Sequence, residues 1–245
     1  MANYNALQVS YRQRASKGLE YTVNYSYARA MTNAVGFFGI SGINGPSPYA
    51  QNAYDNASEY GPAGGDVRHS VNGNAVYAVP FGHGKQFGSD INPFVNEVLG
   101  GWKLAMAGVV YSGAPVTISG SDFAYTNNKT SRPNQISNVK LNQHTVNNWF
   151  GDATTKYGPA TAGTYGNARV GSERGPGFQQ YDVSLFKDFA VFRENILGFR
   201  ADAFNVLNQT SLGAPNNDST SGTFGQITSV RSLPRQLTLS LKYQF

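Results

Sequence analysis

Leu237-Thr238-Leu239-Ser240-Leu241-Lys242-Tyr243-Gln244-Phe245 closes the sequence, and its odd positions are all apolar while its even positions are all polar. Alternation with period 2 is the signature of a β-strand with one apolar and one polar face. The start of the chain behaves the same way. Leu7, Val9 and Tyr11 oppose Gln8, Ser10 and Arg12. After a turn at 15–18, Leu19, Tyr21, Val23, Tyr25 and Tyr27 oppose Glu20, Thr22, Asn24 and Ser26. Those two runs predict a hairpin. Four further strands follow. Residues 66–79 set Val71, Ala75, Tyr77 and Val79 against Arg68, Ser70, Asn72 and Asn74, and 101–111 carry Trp102, Leu104, Met106 and Val110 on one side. Residues 178–189 alternate Tyr181, Val183 and Leu185 with Asp182 and Ser184, and 195–205 place Leu197, Phe199, Ala201 and Ala203 opposite Arg200 and Asp202.

Composition bounds what such strands build. Only 13% of the 245 residues are charged, against about 25% in ordinary soluble domains. Aromatics also reach 13%, through 15 Tyr, 15 Phe and 2 Trp, which excludes a disordered tail. No run of about 20 apolar residues exists for a membrane-spanning helix. Cysteine is absent, so disulfides, thiol nucleophiles and cysteine–zinc sites are excluded. The net charge of +5 is spread without a Lys/Arg cluster, which argues against a nucleic-acid partner. Met1-Ala2 runs straight into the alternating pattern, without the basic start and apolar core of a secretory signal.

The strands are long. Soluble strands run about 5–6 residues, whereas a tilted membrane-crossing strand needs about 9–11. The connections alternate between short or moderate ones and long segments rich in Gly, Asn, Ser, Tyr and Pro (30–65, 112–177 and 206–234), with 224–230 expected to extend the last strand outward. Short turns at one end and long loops at the other are the asymmetry of outer-membrane barrels. The expected fold is therefore all-β: an antiparallel transmembrane β-barrel segment of about seven strands across 1–245, with long extracellular loops, short periplasmic turns and a periplasmic C-terminus. Tyr11, Tyr77, Phe81, Trp102, Phe189, Tyr243 and Phe245 fall near the short turns, and Tyr4, Tyr25, Tyr27, Tyr111 and Tyr181 near the long loops, where interfacial girdles belong. A secreted soluble β-sandwich would also alternate, but long strands and one-sided loops disfavour it.

Several local motifs carry a resemblance. Leu237, Leu239, Leu241, Tyr243 and Phe245 are similar to the C-terminal signal read by the outer-membrane barrel assembly machinery. Tyr4-Asn-Ala-Leu-Gln-Val-Ser10 and Gly18-Leu-Glu-Tyr-Thr-Val-Asn-Tyr-Ser-Tyr27 resemble a hairpin of the C-terminal barrel of TonB-dependent outer-membrane receptors. The Oar-like group, which carries a carboxypeptidase-regulatory-like domain and abounds in acidobacteria, is the nearest in pattern. Asp66-Val-Arg-His69, Pro80-Phe-Gly82, Gly101-Trp102, Ser112-Gly-Ala-Pro115, Gly175-Pro-Gly177, Asp182-Val-Ser-Leu185 and Phe199-Arg-Ala-Asp-Ala-Phe-Asn205-Val-Leu-Asn208 follow in that group's order, and so do Phe224-Gly225 and Arg235-Gln236. The resemblance implies a wall segment of a receptor barrel of about 22 strands, importing an unidentified nutrient. The signal peptide, regulatory-like domain and plug are absent from these residues. The partners so implied are outer-membrane lipid, the assembly machinery and the remainder of the receptor (plug and missing strands), with TonB engaged only through the missing N-terminal part. An autonomous small barrel or adhesin, binding a surface partner through its loops, is the alternative.

No catalytic constellation is present, so neither enzymatic activity nor a cofactor or metal is expected. His69, His83 and His144 are scattered, and Gly171-Ser-Glu-Arg-Gly-Pro-Gly177 lacks the Lys-Ser/Thr end of a phosphate loop. Arg68, His69, Asp182, Arg200 and Asp202 are the candidate polar cluster of the barrel lumen. Asp55, Asn56 and Glu59 offer oxygen ligands in the first long loop, at a spacing that is no EF-hand loop. Binding residues concentrate on loops held by rigid scaffolds, which makes Tyr54, Tyr125, Trp149 and Tyr165 the candidate ligand-contacting aromatics, with Tyr49, Tyr60, Phe150 and Tyr157 behind them.

Overall fold

The computed structural model describes residues 1–34, 50–127, 131–139, 141–192 and 194–245. Seven long strands follow one another as β1 (Ala2–Ser16), β2 (Leu19–Thr32), β3 (His69–Ala78), β4 (Lys103–Tyr111), β5 (Phe178–Phe192), β6 (Asn195–Phe204) and β7 (Gln236–Gln244). Each pairs antiparallel with its neighbours in the chain, giving an up-and-down meander. A two-residue segment, Gly61–Pro62, adds beside the far end of β2. The sheet is not closed: β1 and β7 are each paired on one side only.

Directly opposed residues of an antiparallel pair share a face, so the register sorts the side chains. One row runs Leu19, Tyr77, Leu104, Leu185, Ala201, Leu239 across the sheet. The neighbouring row on the other face runs Glu20, Val76, Ala105, Ser184, Asp202, Thr238. The alternation predicted strand by strand thus adds up to one apolar and one polar sheet face. Among the described residues neither face is packed against a second sheet. None of the buried apolar side chains lies in a long strand, and Leu237, Leu239 and Leu241 on β7 stay 73%, 73% and 69% exposed. Among the described residues, Lys187 is the one buried residue of the seven strands.

At one end the strands are joined by β1–β2 and β5–β6 turns and by a longer β3–β4 connection that holds helix α1 (Pro93–Leu99). The tight turn after β1 places Lys17 at φ 51° and Gly18 at φ 80°. A Cβ on Gly18 would stand 2.8 Å from the Ala78 carbonyl oxygen, so glycine answers both the backbone angle and the close approach. The other end carries the long connections, and there the molecule has its only hydrophobic cluster among the described residues. Val116, Ile118, Phe150, Tyr157 and Ala168 are buried together, with Trp149 and Phe224 packed against them. Residues 224–230 form no strand. Phe224 lies 5.5 Å from Phe150, the Ile227 amide donates to the Val146 carbonyl, and Val230 makes a lone bridge to Leu212. Packing into this loop cap removes the segment from β7. No described helix is long and apolar enough to cross a membrane, which says nothing of crossing by strands.

Candidate functional site

The polar face and the loop cap above it hold the molecule's candidate binding surface. Asp66 sits at the corner entering β3 and is fully buried. Its Oδ1 accepts the Ala30 amide of β2 at 2.7 Å, and its Oδ2 accepts Arg68 Nε at 2.9 Å and also Arg174 Nη2. Arg174 Nη1 donates in addition to the Asp66 carbonyl at 2.7 Å. Burial by itself would raise the Asp66 pKa, but the Ala30 amide and the two guanidiniums outweigh it and hold the carboxyl below its ordinary value. This engagement delays the strand: β3 begins at His69, not at the expected Asp66.

A second buried hub lies higher in the cap. Arg132 Nη1 donates to both oxygens of Glu59, at 2.9 and 2.8 Å, and Arg132 Nε donates to the Ala168 carbonyl at 2.8 Å. Gln51 bridges the same groups, donating through Nε2 to Gly166 and accepting the Arg132 amide. Glu59, expected as a metal-type oxygen ligand, is thus committed to an ion pair, and Asp55 caps the amides of Ala57 and Ser58. Lys156 pairs with Glu173, and Tyr157 donates to Glu173 at 3.0 Å. Burial first, then the Glu173 charge, raises the Tyr157 pKa. Among the described residues no three His, Asp or Glu side chains gather as a metal would need.

The five residues expected as one polar cluster separate into three places. Arg200 and Asp202 meet on the polar face, with Nε 2.9 Å from both carboxylate oxygens, and Ser184 Oγ donates to Asp202 at 2.5 Å. Asp182 shares that face but accepts the Asn205 amide at 2.9 Å and Gln180 Nε2 at 3.1 Å. Arg68 serves Asp66. His69 opposes Tyr27 on the apolar face, where Tyr25 Oη and His69 Nδ1 are 2.9 Å apart. Strand parity decides this, because residues 68 and 69 must point to opposite faces.

The aromatics divide as well. Tyr54 and Tyr125 are 99% and 75% exposed at the cap surface. Tyr165 is half-buried. Trp149 donates its indole N–H to the Arg174 carbonyl at 2.8 Å and stacks on His144, while Phe150 and Tyr157 belong to the buried cluster. Tyr49 lies outside the described residues. Tyr4 and Tyr111, expected in the interfacial girdle, face the polar side by register, opposite Ala30 and Ser70. With Ser26, Ser70 and Asp66 they line a cavity of about 270 Å³ under the cap. It offers hydroxyls for hydrogen bonding and aromatic walls for stacking. Sequence patterning missed it because its walls come from β1, β2, β3, β4 and the cap together.

Around the apolar face the rings gather near the strand ends. Trp102 lies 6.2 Å from Phe189 and 5.8 Å from Phe199, both edge-on, and Tyr11 lies 5.8 Å from Tyr21. A sheet with a bare apolar face, a polar face opposite and rings toward its rims has the surface of a membrane barrel wall. The comparisons with known proteins agree. Residues 1–238 match the family model described as outer membrane beta barrel domain. No curated protein and no solved structure matches the chain. With nearly the whole chain matched and the sheet built as such a wall, the protein belongs to the outer membrane beta barrel domain family.

Proposed function

We propose that this chain is the C-terminal wall of a TonB-dependent, Oar-like outer-membrane receptor that imports an unidentified nutrient and performs no chemistry on it. The apolar face meets lipid and the polar face, with Arg200, Asp202, Ser184 and the cavity at Tyr4 and Tyr111, lines the lumen. The long-loop end is extracellular, so the turns and Phe245 are periplasmic. Tyr54 and Tyr125 are the outward aromatics through which the cap meets the nutrient. The plug, the remaining strands and the TonB-contacting segment come from the rest of the receptor, and the apolar end of β7 engages the barrel assembly machinery.

One observation carries this reading: the two unpaired sheet edges, on β1 and β7. Both strands run from the loop end to the turn end, so self-closure would pair them parallel in a seven-stranded ring. Bacterial barrels are built of even numbers of antiparallel strands, and a wall segment of a larger barrel satisfies both edges. Because the chain has no cysteine, paired cysteines at Leu7, Val9 or Tyr11 and at Leu237, Leu239 or Leu241 test it in cells. The expected result is no link between β1 and β7 of one chain. A link between β1 and β7 of one chain would overturn the receptor-wall reading in favour of an autonomous barrel.

A further inference from the structure

Helix α1 is amphipathic in the wrong sense for a surface helix. Its polar groups are turned into the protein. Asn92 caps it, accepting the Phe94 and Val95 amides at 2.8 and 3.2 Å. Asn96 Oδ1 accepts the His83 amide at 2.8 Å, and Glu97 Oε1 accepts the Ala190 amide of β5 at 3.1 Å. Its apolar side chains are turned out: Phe94, Val95, Val98 and Leu99 are all exposed, Phe94 to 76%. A helix in contact with water on that side would present the opposite arrangement.

The helix also has a fixed place relative to the sheet. Trp102 Nε1 donates to the Val98 carbonyl at 3.0 Å, and Lys187 Nζ donates to the Glu97 carbonyl. Lys187 opposes Phe199 on the apolar face, and by the alternation of β4 Trp102 shares that face with Leu104. Lys187 is nevertheless only 4% exposed, with its ammonium 4.6 Å from the centre of the Phe189 ring. Helix α1 therefore covers the cation on the lipid-side face, and its four apolar side chains continue the apolar surface at the turn end.

We infer that α1 is an interfacial membrane anchor, seating Phe94, Val95, Val98 and Leu99 in the headgroup–acyl boundary of the leaflet at the turn end. The occupant is the bilayer because the patch is continuous with the sheet face that the outer-membrane barrel family exposes to lipid, and the inference rests on that reading. Interfacial helices bury their apolar side about 5–10 Å into this boundary. Covering Lys187 lets a cation sit on a lipid-side strand position without meeting acyl chains.

The test uses the protein assembled in the outer membrane of producing cells and read in membrane vesicles prepared from them, with an environment-sensitive fluorophore on single cysteines. Labels replace Phe94, Val98, Lys85 in the same connection, and Leu239 on the sheet. Labels at 94 and 98 are expected to be quenched several-fold more by a shallow nitroxide lipid than by aqueous iodide. The label at 239 should respond to a deep nitroxide lipid, and that at 85 to iodide. Iodide quenching at 94 and 98 with lipid quenching at 239 would overturn the anchor while leaving the membrane wall intact, and would give the patch to a protein partner. Equal lipid quenching at 85 would also overturn it, since the label would then be partitioning without the helix. Loss of lipid quenching at 239 as well would remove the membrane reading and the anchor with it.

Discussion

Buried charge is concentrated in the loop cap, where it joins segments far apart in the chain. Glu59 and Arg132 are both buried and exchange two hydrogen bonds across loops that the sequence separates widely. Removing one partner of such a pair leaves the other charge desolvated and alone, at a cost of about 3–5 kcal/mol. Glu59→Ala is expected to open the cap to trypsin at Lys156 and Arg174, and the Glu59→Leu/Arg132→Met pair to do so far less. Unchanged cleavage in the single variant would deny the hub its role. Asp66 adds a pH dependence. Its pKa is held below the ordinary value, so the stability it contributes is complete above the unfolded value of about 3.9 and is lost as pH falls through the lower folded value. Exchange of the Ala30 amide, corrected for its intrinsic rate, should therefore accelerate only below about pH 3.9. In Asp66→Asn that acid step should vanish.

Elements differ in how openly the sequence declares them. The strands were legible because apolar residues recur with period 2, strictly in β7 and from Leu19 to Tyr27 of β2, and with exceptions such as Val76, Ala105 and Lys187 elsewhere. The run expected at 178–189 is β5 (Phe178–Phe192), and that expected at 195–205 is β6 (Asn195–Phe204). Asn205 ends β6 for a reason the sequence hints at. It adopts φ 50°, a conformation asparagine tolerates, and its buried side chain binds the Gln209 and Leu233 carbonyls. Helix α1 was not legible, since its seven residues reverse the usual polarity and leave no apolar stripe facing inward. The loop cap was not legible either. Its contacts, such as Asp66 with Arg174, join residues 108 apart and follow no period. Two predictions belong at this scale. Gly18→Ala forces alanine to a positive φ against the Ala78 carbonyl, at a cost of roughly 1–2 kcal/mol. The Ala78 amide, which donates to the Gly18 carbonyl at 2.8 Å, should then lose exchange protection. Leu239→Arg puts a cation on the lipid side near the middle of β7, a loss of about 2–4 kcal/mol at the bilayer midplane. It should lower the amount of protein assembled in the outer membrane in urea-resistant form far more than Ser240→Arg, and equal effects would contradict the assigned faces.

At the scale of the molecule, the sheet is a thin wall with no core of its own. Nine residues, the length of β4 and of β7, run about 30 Å at 3.3 Å per residue, at the lower limit of the roughly 9–11 residues that a strand tilted about 45° needs to cross a bilayer. The longer β1, β2 and β5 extend past it. Stability in the spanning region must come from lipid on one face and from continuous strand pairing. Unpaired backbone in lipid costs several kcal/mol per group, so this chain by itself is not expected to persist as a monomeric barrel in micelles. A monodisperse, protease-resistant monomer would contradict that expectation.

The most direct measurement is a nitroxide scan of single cysteines from 237 to 244 along β7 in outer-membrane vesicles prepared from producing cells, reading accessibility to oxygen and to an aqueous nickel complex at each position. The assigned faces predict that 237, 239, 241 and 243 favour oxygen while 238, 240, 242 and 244 favour nickel. Uniform accessibility along the strand, or the inverted alternation, would contradict a wall with lipid on one face and water on the other.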